Sequence, residues 1–135
     1  MKKGEMMKKK FFVLLCSALL LILLTVEARA AVKADWDQPR GREVSFAMRI
    51  SKAVPALVIV RLHLAVGLQV VEINPQPKKR DDKSKGLKLM FTNLGSGINR
   101  ITITADRVIK RRDITGTVIY KDPITGAMEK TKIRW

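Results

Sequence analysis

The sequence predicts an all-β fold, an antiparallel β-sandwich of about seven strands that follows an N-terminal export signal. Three observations support this fold class. Apolar residues beyond residue 42 recur with a period of two in short runs, and turn sequences rich in proline and glycine separate the runs. No segment after Ala31 has the 3.6-residue period of an amphipathic helix. Seven short strands within about 95 residues are typical of two antiparallel sheets packed face to face.

Residues 1–30 have the three parts of a secretory signal peptide. A basic stretch, Met1–Lys10, precedes an apolar run, Phe11–Val26, and the small-x-small site Ala28–Ala30 follows. We predict a signal-peptide helix, cleavage after Ala30, and an exported product that is periplasmic, on the cell surface or secreted. An uncleaved membrane anchor is the alternative. The apolar run has 16 residues, however, whereas a spanning helix needs about 20.

Cleavage would leave 105 residues, enough for one domain with a single core. Cys16, the only cysteine, would leave with the signal, so no disulfide or cysteine-based metal site is expected. The remaining chain has 21 Lys and Arg and 10 Asp and Glu. This surplus favours polyanionic neighbours such as anionic lipid or acidic wall polymer, and export makes nucleic acid an unlikely partner. A basic composition that serves only solubility is the alternative.

The first part of the exported chain begins with a leader segment, residues 31–42, which is not expected to form an element. Three later runs have apolar residues in strand-like patterns and are predicted strands: Val44–Ile50, Leu57–Leu64 and Leu68–Ile73. Pro55 and Pro75 mark their boundaries. Arg61 and His63 lie on the solvent face of the second strand.

The second part begins with a charged loop, Lys78–Gly86, which contains no apolar residue. Three further strands are predicted from alternation: Leu87–Phe91, Ile101–Ala105 and Thr117–Lys121. A bulge or strand end is expected near Arg107. The turn Asp122–Gly126 has Pro at its second position and Gly at a left-handed position, and it leads into a return strand that ends at Trp135. On this strand the inward residues are predicted to be Thr131, Ile133 and Trp135. The outward residues are predicted to be Lys130, Lys132 and Arg134.

The order of turns and strands between Leu64 and Gly126 resembles the immunoglobulin-like conserved repeat of prokaryotic surface proteins, which includes the DUF11 class. Three segments carry the resemblance: Leu64–Val71 followed by Pro75, Phe91–Gly97, and Ile101–Ala105. Ala65 stands where the family usually has proline, and a hairpin at Tyr120–Pro123 replaces the usual closing asparagine-rich segment. The chain is similar, more loosely, to cohesin modules. The resemblance implies an immunoglobulin-like sandwich over residues 43–135, used for structure, adhesion or protein contact, with no catalytic residues.

Catalytic, metal and cofactor motifs are not apparent in the sequence. His63 is the only histidine, so a multi-histidine zinc site is not available and a Ser-His-Asp triad would have to be built on this residue. We expect it to be an exposed or rim histidine. The sequence Gly95-Ser96-Gly97 lacks the strand-to-helix context of a phosphate-binding loop and is predicted to be a hairpin turn. Asp81 and Asp82 lie among basic residues and are predicted to be solvated. No catalytic residue, cofactor or metal ligand is therefore assigned.

The basic residues are the only constellation that suggests a site. They fall in two predicted loops and on the return strand, and together they form a candidate polyanion-binding set: Lys78, Lys79, Arg80, Lys110, Arg111, Arg112, Lys130, Lys132 and Arg134. Alternate residues of a strand share a face, so the return-strand trio lies within about 14 Å. Lys130 and Lys132 would alternatively serve to block edge-to-edge strand pairing.

Two classes of binding function follow from these observations. The first is an exported, non-catalytic immunoglobulin-like module that contacts an envelope or extracellular protein. The second is an electrostatic binder of anionic envelope polymer or lipid, which salt would weaken far more than it weakens an apolar protein interface. An enzyme is the third hypothesis, and its chemistry would have to be built on His63.

Overall fold

A computed structural model of the chain describes residues 31–83 and 86–135. The predicted signal-peptide helix and its cleavage site after Ala30 lie outside the described residues. The described part is all-β and contains nine strands and one short 3₁₀ turn, Arg111–Asp113. The strands are β1 (Val32–Trp36), β2 (Glu43–Ile50), β3 (Val58–Leu64), β4 (Val70–Asn74), β5 (Lys79–Lys83), β6 (Gly86–Phe91), β7 (Gly97–Ala105), β8 (Ile114–Lys121) and β9 (Met128–Arg134).

All nine strands belong to one sheet in the order β4-β7-β2-β1-β9-β8-β3-β6-β5. Every neighbouring pair is antiparallel except β1 and β9, which run parallel and are paired only at Ala34 with Ile133 and at Asp35 with Arg134. We call β4-β7-β2-β1 the four-strand part and β9-β8-β3-β6-β5 the five-strand part. The sheet is therefore mixed, with nine strands, and the predicted purely antiparallel arrangement of about seven strands is wrong in both respects.

A single apolar core lies on the inner face of the curled sheet. The alternating apolar residues of each strand point to this face, as the period of two requires. Phe46 on β2 and Ile101 on β7 are fully buried, and so are Val60 on β3 and Leu89 on β6. Residues from both parts of the sheet belong to the same buried cluster, so the two parts share one core.

The two edge strands of the sheet come within reach of one arginine side chain. The guanidinium of Arg80, on β5, donates a hydrogen bond of 2.5 Å to the backbone carbonyl of Val70, on β4. The same guanidinium forms an ion pair with Asp82, with 2.8 Å between Nε and Oδ1. Arg80 therefore links the two ends of the strand order, which shows how far the sheet curls.

Several strand predictions are confirmed, and three local predictions are wrong. The strands predicted at Val44–Ile50, Leu57–Leu64 and Leu87–Phe91 correspond to β2, β3 and β6 within a residue at each end. The segment expected to be a leader contains β1, whose three alternating apolar residues are buried. The charged loop expected at Lys78–Gly86 contains β5, all five residues of which are exposed. Backbone pairing with β6 forms this strand, so its sequence has no apolar period to detect.

The third wrong prediction concerns Gly95-Ser96-Gly97. This segment does not close a hairpin, because β6 and β7 belong to different parts of the sheet and are not paired. It connects the two parts instead, and Gly97 has a φ of 91° that suits glycine. In residues 31–83 and 86–135, no helix is long and apolar enough to cross a bilayer.

Candidate functional site

The outer face of the five-strand part has a row of apolar side chains at its centre. Residues that are directly paired across antiparallel strands share a face. The pairings of Lys79 with Met90, Met90 with Ile59, Ile59 with Ile119, and Ile119 with Lys130 form one row across all five strands. Ile119 is only 7% exposed although it faces outward. We call Met90, Ile59 and Ile119 the apolar row; a lysine lies at each end of it.

A row of mostly charged side chains runs beside the apolar row. The pairings place Asp81, Lys88, Arg61, Thr117 and Lys132 in line across the same five strands. Asp81 lies at the edge, on β5. The other charged members of this row, on β6, β3 and β9, are all cationic. We call Lys88, Arg61 and Lys132 the basic row. The apolar and basic rows are two residues apart along each strand, or about 6.7 Å.

An apolar groove of about 630 Å³ opens at one end of the apolar row. It lies between the beginning of β3, the end of β8 and the turn that connects β8 to β9. Its apolar walls are formed by Leu57, Ile59, Ile119, Pro123, Ile124 and Met128. Ile124 is 53% exposed and Met128 is 63% exposed, so the groove leaves large apolar side chains in contact with solvent. A contiguous exposed apolar surface of this kind is typical of a binding site.

The turn beside the groove is held by a buried carboxylate. Asp122 is 2% exposed, and its Oδ1 accepts hydrogen bonds from the backbone N–H groups of Ile124 at 2.8 Å and Thr125 at 3.3 Å. Gly126 has a φ of 74°, and its N–H donates to the Asp122 carbonyl at 2.8 Å. These contacts fix the backbone that carries Ile124. The left-handed glycine predicted from the sequence is thus confirmed, and its role is to shape one wall of the groove.

A smaller depression of about 400 Å³, lined mostly by polar residues, adjoins the groove at Ile119. Its lining consists of Ile119 with two threonines, two lysines, one arginine and the histidine: Thr117, Thr131, Lys130, Lys132, Arg61 and His63. No carboxylate lines this depression among the residues that the structure describes. We call it the basic depression. It and the apolar groove form one continuous surface, with a positive side and an apolar side.

The predicted candidate residues divide between this surface and other places. Lys130 and Lys132 lie together at the basic depression, and Lys79 lies at the far end of the apolar row. Arg80 has the opposite phase on β5 and hydrogen-bonds to Val70. Lys78 precedes β5, and its N–H donates to the carbonyl of Met90. The Lys78–Arg80 segment is therefore at one edge of the sheet, separated from Lys130 by the width of the five-strand part.

The other basic segment, Lys110–Arg112, packs near the end of β9. The guanidinium of Arg111 lies over the ring of Trp135, 5.2 Å from its centroid, and Trp135 stacks on Trp36 at 5.2 Å between ring centroids. The Lys110 N–H donates to the Asp113 carboxylate at 2.9 Å. Arg111 is thus engaged in a cation–π contact. Arg134 is exposed on β9, and its backbone is paired with β1 at Asp35.

Arg61, Lys88 and the apolar row are functional candidates that the sequence reasoning did not assign to a site. Their membership depends on the pairing of β3, β6, β8 and β9, which a single sequence does not specify. One signal was available. Ile59 has the same phase as the solvent-facing residues Arg61 and His63, so an isoleucine occupies a position that alternation assigns to solvent.

The titratable groups of the described residues do not cluster in a way that would bind a metal. In the described ranges there is no group of three or more His, Cys, Asp or Glu side chains within reach of one ion. His63 is exposed, as predicted. The pKa of Tyr120, which borders the groove, is raised mainly by burial and further by Glu129 and Asp122, while a backbone hydrogen bond from Val32 opposes the rise.

No family model matches the sequence, and no curated protein matches it significantly.

Proposed function

We propose that the chain is an exported, non-catalytic immunoglobulin-like module that contacts another protein of the cell envelope or the extracellular space. The observation that carries the proposal is the apolar groove on the outer face of the five-strand part. Export is supported by the signal-peptide pattern of residues 1–30. The contact role is supported by the position of Ile124 and Met128, which are exposed and line one apolar groove together.

Two features support the immunoglobulin-like sandwich within this proposal. The four-strand and five-strand parts are joined through only two residue pairs between β1 and β9, and their inner faces share one core. Two sheets packed face to face would have these properties. The segments that carry the family resemblance, Leu64–Val71 and Phe91–Gly97, include the connections from β3 to β4 and from β6 to β7. Both connections cross between the two parts.

Co-sedimentation of the protein with envelope fractions of its source cell, over a salt series, tests the proposal. A protein partner that fills the apolar groove should retain the protein at high salt, because burial of apolar surface is little affected by screening. The double variant Ile124→Ser, Met128→Ser should lose this retention. The matched control is Val71→Ser, Ile98→Ser, which removes two apolar side chains of similar or greater exposure from the four-strand part.

Two results would contradict the contact role. Retention that is unchanged in the groove variant would exclude the groove, and equal losses in the groove and control variants would indicate a general loss of solubility or folding. A crosslink from the groove to a protein, lost in the groove variant only, would identify the partner.

The second candidate function is electrostatic binding of an anionic envelope polymer or lipid. The basic row and the basic depression favour it, because they concentrate positive charge on one face. Binding through phosphate-like contacts would weaken steeply between low and moderate salt. Charge reversal at Lys110, Arg111 and Arg112 tests the segment that lies outside the groove. Unchanged polymer binding in that variant would exclude this segment as the site.

A further inference from the structure

We infer that the occupant of this surface is an acidic segment of the partner protein, with an apolar side chain in the groove and a carboxylate above Thr117. The inference rests on the proposed function and specifies the chemistry of the partner. It is carried by the continuity of the apolar groove with the basic depression, which meet at Ile119. One segment of chain that crosses this junction would contact both.

The positive charge of the basic depression determines the sign of the charge that a complementary partner carries. Arg61, Lys130 and Lys132 line it, and none of them forms an ion pair with a described residue. Three cations held close together repel one another, and an incoming carboxylate relieves that repulsion. The nearby acids do not supply the carboxylate. Asp122 is buried and accepts hydrogen bonds from its own turn, and Glu129 does not line the depression. A partner carboxylate is therefore complementary to this surface.

The sheet register determines where the carboxylate would lie. Thr117 is paired with Arg61 on one side and with Lys132 on the other, so a group above Thr117 lies between both cations. Adjacent strands are about 4.8 Å apart, which brings both long side chains within reach of one carboxylate. The Thr117 hydroxyl is a further donor. Ile119 is two residues along β8, towards the groove.

The same register sets a spacing in the partner. From Thr117 the groove begins at Ile119 and extends to the end of β8, where Lys121 is paired with Met128. This distance is about 7 to 13 Å, or two to four residues of an extended chain. A partner segment that fits would therefore carry a large apolar residue and an Asp or Glu separated by about two to four positions. A uniform anionic polymer would satisfy the basic depression and leave the apolar groove empty, so a protein segment fits better.

Selection from a displayed library of random short peptides tests the inference. The protein is purified from cells that express the full chain, and bound peptides are sequenced and remade. We expect enrichment of peptides that combine a large apolar residue with an Asp or Glu two to four positions away. The charge-reversed double variant Lys130→Glu, Lys132→Glu should weaken them by about tenfold or more. The Lys130→Arg, Lys132→Arg variant should retain binding, because it keeps both charges.

The matched control is Lys33→Glu, Arg49→Glu, an opposed pair on the outer face of the four-strand part with the same change in net charge. It should leave the affinity of the selected peptides within about twofold of the original, because its charges are on the other face. An equal loss in both charge-reversed variants would overturn the inference, since net charge rather than the basic depression would then govern binding.

Three further outcomes would overturn it and separate it from the proposed function. Peptides that lose binding in the groove variant but lack acidic residues would exclude the carboxylate and leave the contact role intact. Selected peptides whose binding is unchanged in both the groove variant and the Lys130→Glu, Lys132→Glu variant would contradict the inference and the contact role together. Vesicles of anionic lipid that bind the protein through Lys130 and Lys132 without any effect of the groove variant would assign the surface to a membrane.

Discussion

The outer faces of the four-strand and five-strand parts cover the same core but differ in composition. On the four-strand part, charges of both signs alternate, and Arg100 forms an ion pair with Asp37 at 2.7 Å. Ser45 and Thr102, paired across β2 and β7, hydrogen-bond to each other at 2.9 Å. On the five-strand part, the apolar row and the basic row leave apolar surface exposed and cations without described ion-pair partners. The four-strand part also exposes the apolar side chains of Val71 and Ile98. The difference therefore lies in the groove that Ile124 and Met128 line beside these cations, and this combination is suited to a partner.

This difference shows that the requirements of folding and of binding can be separated in one sheet. The inner faces are alike, because each strand from β1 to β4 and from β6 to β9 buries apolar residues there. Only the outer faces diverge. A surface feature that one part has and the other lacks is therefore a better guide to function than overall composition, which averages the two.

The largest expected effect is on the shared core, where the two parts should behave alike. Phe46→Ala in the four-strand part should lower the free energy of unfolding by about 3–5 kcal/mol, and Leu89→Ala in the five-strand part by about 2–5 kcal/mol. Both side chains are fully buried. Denaturant unfolding, followed by tryptophan fluorescence and by circular dichroism, should show one transition in each variant. Separate transitions for the two probes would mean that the parts have independent cores, and Ile98→Ala, at an exposed site, is the control.

The second effect concerns the turn Asp122–Gly126, which connects β8 to β9 in the five-strand part. Asp122→Ala should lower the free energy of unfolding by about 1–3 kcal/mol, because it leaves backbone N–H groups at a part-buried site without their acceptor. Asp122→Asn keeps an oxygen acceptor and should lose less. Hydrogen exchange at the amides of Ile124 and Thr125 reports the turn directly. Unchanged protection of both amides in the alanine variant would show that Asp122 does not hold the groove wall.

The period of two predicts much of this fold, and its limits are physical. It identified β2, β3 and β6 because each buries alternate residues against the core. It could not identify β5, since a wholly exposed edge strand has no apolar phase. It also could not predict the parallel contact of β1 with β9, because strand order depends on contacts between residues far apart in the sequence.

The candidate site was predictable only in part for the same reason. Alternation correctly placed Lys130 and Lys132 on the outer face of β9. Their association with Arg61 requires that β8 lie between β3 and β9, which no local pattern encodes. The groove depends in addition on the conformation of the Asp122–Gly126 turn, whose sequence gives the turn type but not its neighbours.

The third effect concerns the contact of Arg80 on β5 with Val70 on β4, which joins the edge strands of the two parts. Arg80→Ala should lower the free energy of unfolding by about 1 kcal/mol, because the guanidinium is partly exposed and its hydrogen bond to the Val70 carbonyl is partly replaced by water. Amide exchange should accelerate in β4 and β5 and not in β2. Equal acceleration in all three strands would indicate global destabilisation and would contradict a local role. Arg49→Ala, an exposed arginine on β2, is the control.

The smallest effect is the change in the free energy of unfolding when one surface charge is removed, and its sign should differ between the two outer faces. Arg100→Ala removes an exposed ion pair with Asp37 and should lower the free energy of unfolding by about 0.2–1 kcal/mol. Lys132→Ala removes one of several neighbouring cations, so stability should stay the same or rise by a few tenths of a kcal/mol. Denaturant titrations at low and at high salt measure both changes, and salt should reduce each one. Destabilisation by Lys132→Ala would mean that its charge is already satisfied within the fold, and the basic depression would then have no need of a partner carboxylate.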